Sequence, residues 1–94
     1  MKIYEMMLVL RPDFEAGDEK KVADLVRKTV NEGVAIKKVK LIGKKTLAYP
    51  LQKFTEGIYV LIDLEAERID IAQIQKQTDL GNDILRFLVT AKEV

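Results

Sequence analysis

The stretch from Gly43 to Val60, GKKTLAYPLQKFTEGIYV, sets a proline inside a lysine-flanked β pattern. Pro50 has no N–H to give to a ladder, so a strand that contains it belongs at a sheet edge or at a bulge. Around it the period is two. Val39, Leu41, Leu47, Tyr49 and Leu51 share one parity, and Lys38, Lys40, Lys44, Thr46 and Gln52 share the other. The pattern predicts one long edge strand, kinked or bulged at Gly43, with its phase preserved across the glycine. Val39, Leu41, Leu47 and Leu51 are then expected toward the core, and Lys38, Lys40 and Lys44 away from it. KFTEG turns the chain, and IYVLIDL completes a hairpin.

Upstream of this hairpin, Lys2–Leu10 is a nearly continuous apolar run, as expected of an interior strand buried on both faces. RPDFEAG supplies a turn and Asp18 an N-cap. Val22, Leu25, Val26, Thr29 and Val30 follow at helical spacing, and Gly33 closes a helix of about four turns. Downstream, ERIDIAQIQKQT reads as a second helix whose apolar residues Ile69, Ile71, Ala72 and Ile74 spread over more than one face. LGND ends it, and ILRFLVTAK is the last strand. The order is βαββαβ over a single domain, residues 1–94. Right-handed crossovers and short connections turn that order into an α+β, ferredoxin-like fold: a four-stranded antiparallel sheet in the order 4-1-3-2, with two helices on one face. The second strand is then an edge, where the proline requires it to be.

Composition narrows the function classes. The chain has 94 residues, 48% hydrophobic and 33% charged, enough for one core. It has no Cys, which excludes disulfides, thiolate metal sites and thiol nucleophiles, and no His, which removes the usual base at neutral pH. MKIYEMMLVL is interrupted by Glu5 and lacks a cleavage site, so it reads as a strand rather than a signal peptide.

A net charge of +1 conceals an asymmetry. From Gly33 to Thr55 there are six lysines, Lys37, Lys38, Lys40, Lys44, Lys45 and Lys53, and no acid, while the rest of the chain holds 10 basic and 15 acidic residues. Edge lysines can serve simply to block sheet-to-sheet aggregation. A phosphate-facing surface is the other use of such a patch, and the absence of any acid favours it, because solvating faces usually mix signs.

The residues also carry a resemblance. Gly43-Lys44-Lys45-Thr46-Leu47-Ala48-Tyr49-Pro50-Leu51, then Lys53 and Gly57-Ile58-Tyr59, resembles the signature of the bacterial small-subunit ribosomal protein S-six (S6) family. Met1-Lys2-Ile3-Tyr4-Glu5 is similar to that family's opening, and Asn82-Asp83-Ile84-Leu85-Arg86 to its last-strand entry. Thr46, Leu51, Gln52 and Asp79 depart from the pattern. The resemblance implies a ferredoxin-like fold, no catalysis and no cofactor. It implies a structural role on the cytoplasmic ribosome, binding the central domain of small-subunit ribosomal RNA beside ribosomal protein S-eighteen (S18). The residues expected to face RNA are Lys2, Tyr4, Lys44, Lys45, Lys53, Arg86 and Lys92, and those expected to face the protein partner are Tyr49, Pro50 and Leu51.

Each candidate has a plainer use. Tyr4 and Tyr59 can be stacking platforms for bases or half-buried sheet residues. Arg86 can meet RNA or a partner, or pair with Glu5 or Glu65. Asp63, Glu65, Glu67 and Asp70 read as helix-terminal charges rather than as metal ligands. Two other classes share this topology, a small-molecule-binding or dimeric regulatory domain and an acyl phosphate hydrolase. The first needs a pocket of convergent polar groups that nothing here predicts. The second needs a phosphate-cradling loop, and Arg11-Pro12-Asp13-Phe14 offers an arginine without a glycine-rich nest.

Overall fold

The structure, a computed structural model, describes residues 2–15, 17–51 and 53–92, with only the backbone of residue 51. The elements run β1 (Lys2–Leu10), α1 (Glu19–Thr29), β2 (Ala35–Leu51), β3 (Phe54–Ala66), α2 (Ile71–Leu80) and β4 (Ile84–Ala91). One antiparallel sheet has the order β2-β3-β1-β4. This is the expected ferredoxin-like arrangement, and Pro50 lies on the edge strand β2.

The core lies between the sheet and the helices. Met6, Leu8 and Leu10 of β1 stand opposite Ile62, Val60 and Ile58 of β3 in register, so one parity of both central strands faces the same side. Val22, Val26 and Val30 from the α1 segment and Ile74 of α2 close over them, and Ile84 completes the buried cluster. Burying a side chain of this size contributes about 1.5–3 kcal/mol, so the two central strands dominate the fold's stability.

The helix termini follow from local chemistry. Asp18 caps α1 by accepting from the Lys20 N–H at 3.0 Å, and Asp70 caps α2 by accepting from the Gln73 N–H at 3.0 Å. Helix α1 has 11 residues, a turn shorter than expected, because the backbone is already extended at Val30. Gly33, with φ +85, serves the turn into β2 instead of the helix end. Asn31 joins the two helices: its Oδ1 accepts from the Asp70 N–H at 2.9 Å, and its side-chain amide donates to the Arg68 carbonyl at 3.3 Å. Ile71 is exposed while Ile69 packs on the core, which accounts for the dispersed apolar pattern of α2.

Strand β2 corrects the expected phase. Leu41 pairs with Val60 but Gly43 pairs with Tyr59, so Ile42 is an extra residue and the parity inverts there. Val39 and Leu41 point to the helix side as expected, although Leu41 remains 48% exposed. Beyond the bulge Lys44 opposes the buried Ile58 and so turns to the helix side, while Lys45 opposes Gly57 on the open face. Leu47 follows Lys45 onto that open face and does not enter the core. The core position expected for Leu51 lies outside the described side chains. The bulge at Ile42 is preceded in the chain by a first one, between Ile36 and Lys38, which makes Lys37 an extra residue as well.

From Thr46 to Leu51 the ladder breaks, since Thr46 pairs with Glu56 and Leu51 with Phe54. Leu47–Pro50 therefore departs from regular pairing, which is where a residue without an N–H is tolerated. The turn is tighter than KFTEG: it closes at Lys53, whose φ of 74 is left-handed, and Phe54 already begins β3.

Candidate nucleic-acid interface

The sheet face opposite the helices is built from the odd-numbered residues of β1 and β3 and their register partners. At the end nearest the β2–β3 hairpin it is apolar. Met7, Val9, Tyr59, Arg86, Phe87 and Leu88 line a cleft of about 210 Å³, and Leu88 is 57% exposed. Gly57 is buried beside it, and a methyl at its Cα would lie 2.5 Å from Val9 Cγ1 and 3.4 Å from Leu47 Cδ2, so Val9 and Leu47 converge over this glycine.

The irregular Leu47–Pro50 segment bows across the same face. Tyr49 is 59% exposed, and its hydroxyl accepts from the Arg86 guanidinium at 3.4 Å. Strands β2 and β4 are the opposite edges of the sheet, so this contact reaches across its width. The sequence left Arg86 to RNA, to a protein partner, or to a pair with Glu5 or Glu65. It contacts neither acid, and reaches Tyr49. Lys45 lies over the Tyr59 ring with its Nζ 6.0 Å from the centroid, a cation–π geometry that holds the ammonium at the rim of the apolar cleft.

The other end of the open face is charged. Lys92 Nζ lies 3.0 Å from Asp63 Oδ1 and 3.6 Å from Glu5 Oε2, and Lys37 lies 3.6 Å from Glu65 Oε2. The hydrogen bond to Asp63 raises the Lys92 pKa above the ordinary lysine value. Of the four carboxylates considered as metal ligands, Asp63 is engaged with Lys92, Glu65 with Lys37 and Asp70 with the start of α2.

The expected RNA-facing residues do not form one group. Lys45 and Arg86 share the open face, and Lys53 stands at the hairpin turn. Lys92 shares the face but is neutralised by two acids. Tyr4 packs against the core on the helix-covered side, where Lys2 also turns, so Tyr59 alone of the two tyrosines stands on the open face. Lys44 lines a shallow groove with Pro12, Phe14 and Leu41 on the helix side. Among the partner-facing candidates, Tyr49 and Pro50 are exposed, and the side chain of Leu51 lies outside the described residues. Sequence parity missed Leu88, Met7 and Leu47. The alternation ILRFLVT would have placed Arg86, Leu88 and Thr90 on one face, and Leu88 stands out there as apolar.

Arg11, in the loop that follows β1, sits 3.0 Å from Asp83 and 3.4 Å from Asp13, so a guanidinium that an acyl phosphate would require is held by carboxylates. No helix among the described residues is long and apolar enough to cross a membrane.

The sequence model of the family Ribosomal protein S6 matches residues 3–91. The small ribosomal subunit protein bS6 of Halalkalibacterium halodurans is 33% identical over 94 residues, covering 99% of each chain. That of Streptomyces griseus is 38% identical over 98 residues, covering 100% of this chain and 99% of the relative. The crystal structure of 30S ribosomal protein S6 from Thermotoga maritima superposes with a TM-score of 0.75 at 24% identity, over 97% of this chain and 87% of that one, and shows the same fold. Near-complete coverage at this identity, on the sheet order and hairpin described above, means that the chain belongs to the ribosomal protein S6 family, non-enzymatic components of the small ribosomal subunit.

Proposed function

We propose that the chain binds the central domain of small-subunit ribosomal RNA jointly with ribosomal protein S18, the partner docking on the apolar end of the open sheet face and the RNA meeting the basic hairpin. The observation that carries this reading is the cleft around Met7, Val9, Tyr59 and Leu88, left uncovered on a chain whose helices all pack on the opposite face. An exposed apolar patch rimmed by Arg86, Tyr49 and Lys45 has the make-up of a protein interface, with an aromatic and arginine-rich centre. The cations at its rim and at the hairpin turn, Lys45, Arg86 and Lys53, lie beside whatever covers the patch. The chain's net charge of +1 gives a weak field, so RNA affinity has to come from a combined surface.

Leu88→Glu tests the docking half. Leu88 is 57% exposed, so the change should leave thermal stability nearly unaltered. It should weaken S18 binding at least tenfold in a calorimetric titration without RNA, as expected for placing a carboxylate in a desolvated contact. An unchanged S18 affinity would remove this face from the interface.

A further inference from the structure

The two bulges of β2 decide which lysines reach the open face, and they leave Lys38 and Lys40 there without counter-ions. Lys38 stands opposite Asp63 in register, which would ordinarily neutralise it. Asp63 is instead held by Lys92 at 3.0 Å, and Lys92 also lies 3.6 Å from Glu5. Glu65, the next acid along β3, is held by Lys37, the extra residue of the first bulge. Lys40 stands opposite Leu61. Neither Lys38 nor Lys40 has a carboxylate within ion-pair distance among the described residues. With Lys92, its two carboxylate partners Glu5 and Asp63, and Leu61, they border a hollow of about 190 Å³. Past the second bulge, Lys45 returns to the same face above Tyr59.

We propose that Lys38, Lys40 and Lys45 form a track along β2 for the phosphodiester backbone of an RNA strand, with Tyr59 marking where that track meets the protein-docking cleft. Residues two apart on a strand are about 6.6–6.8 Å apart on one face, comparable to the separation of successive phosphates on an extended strand. Glu65 is balanced by Lys37, while Lys92 shared between Asp63 and Glu5 leaves one negative charge, so with Lys38 and Lys40 an incoming phosphate meets two unpaired ammonium groups on a strip whose local sum is positive. An acidic protein segment is the other polyanion of suitable charge. RNA is favoured because the track is continuous with the acid-free hairpin on a small-ribosomal-subunit protein. The inference rests on the RNA-binding reading above and adds to it two residues, Lys38 and Lys40.

The test is the salt dependence of binding to a central-domain fragment of small-subunit ribosomal RNA with S18 present, for the wild type, K38A/K40A and the helix variant K20A. Two phosphate contacts contribute about 1.4 to 1.8 to the slope of log K against log salt, so the double variant should lose that much slope and about 25- to 60-fold in affinity near 0.1 M salt. K20A should keep the wild-type slope, and thermal melts should show all three chains folded. A wild-type slope in K38A/K40A, whether or not that variant aggregates faster, would overturn the track and leave the RNA-binding reading standing. Weaker binding of K38A/K40A to S18 without RNA would assign this strip to protein and overturn it too. Failure of the wild type to bind the RNA even with S18 would remove both.

Discussion

Replacing Gly57 by alanine examines how closely the hairpin packs over the open face. The added methyl would lie 2.5 Å from Val9 Cγ1, with Leu47 Cδ2 and the Leu10 carbonyl oxygen each at 3.4 Å. Val9 is only 5% exposed and β-branched, so it has little freedom to yield. Overpacking of this kind costs about 1–3 kcal/mol. Alanine in place of glycine within a strand returns about 0.5–1 kcal/mol, since Gly57 has no positive φ to protect. The net expectation is a loss of about 0.5–2 kcal/mol, at about 4–8 °C in Tm per kcal/mol for a domain of this size. Urea and thermal melts of G57A, V9A and the double variant close a cycle. With the Val9 methyls gone, G57A should become neutral or stabilising. If G57A alone raises stability, or if V9A leaves its cost unchanged, the convergence of Val9 and Leu47 over Gly57 is not as described.

Three further outcomes follow from local structure. Lys53→Gly should stabilise the fold by about 0.5–1 kcal/mol by relieving a left-handed φ of 74, yet reduce the RNA salt slope by about 0.7–0.9, so chemical melts and binding titrations should move in opposite senses. Asp70→Ala should cost about 1 kcal/mol through loss of the α2 cap, visible as a lower urea midpoint. Lys92 has a folded-state pKa raised by Asp63, so its contribution is present in full below the ordinary value of 10.5 and is lost as pH rises through the higher folded value. The stability difference between the wild type and K92M should accordingly be flat through neutral pH and close on the alkaline side. A difference that persists unchanged at pH values well above the raised folded value would contradict that sign.

The architecture was legible because its signals are long-range and redundant. The βαββαβ order with its crossovers and the proline of β2 restrict the topology separately, and they agree on β2 as an edge. The site was only half legible, and the reason is local. A β-bulge adds one residue without changing the composition of the strand, so the parity of Val39 and Leu41 could not tell that Ile42 would be inserted and that Lys44 and Lys45 would exchange faces. Gly43, with φ +127, marked the irregularity but not its consequence. Tyr4 shows the same limit: its residue type suits a stacking platform or a core edge, and only the register with Leu64 decides for the core. The pairing of Arg86 with Tyr49 depends on β4 and β2 meeting across the sheet, a contact between residues 37 apart that no local pattern encodes, whereas Leu88 was legible in the alternation of β4.

Joint recognition of RNA with a protein partner is tested most directly by a thermodynamic box: the chain titrated with a central-domain fragment of small-subunit ribosomal RNA, with and without saturating S18, and with S18 with and without the RNA. RNA binding should be tighter in the presence of S18, by a coupling of about 1 to 3 kcal/mol, with the same factor on the S18 side of the box. Equal RNA affinities in the two titrations would contradict it, as would tight RNA binding by the chain alone.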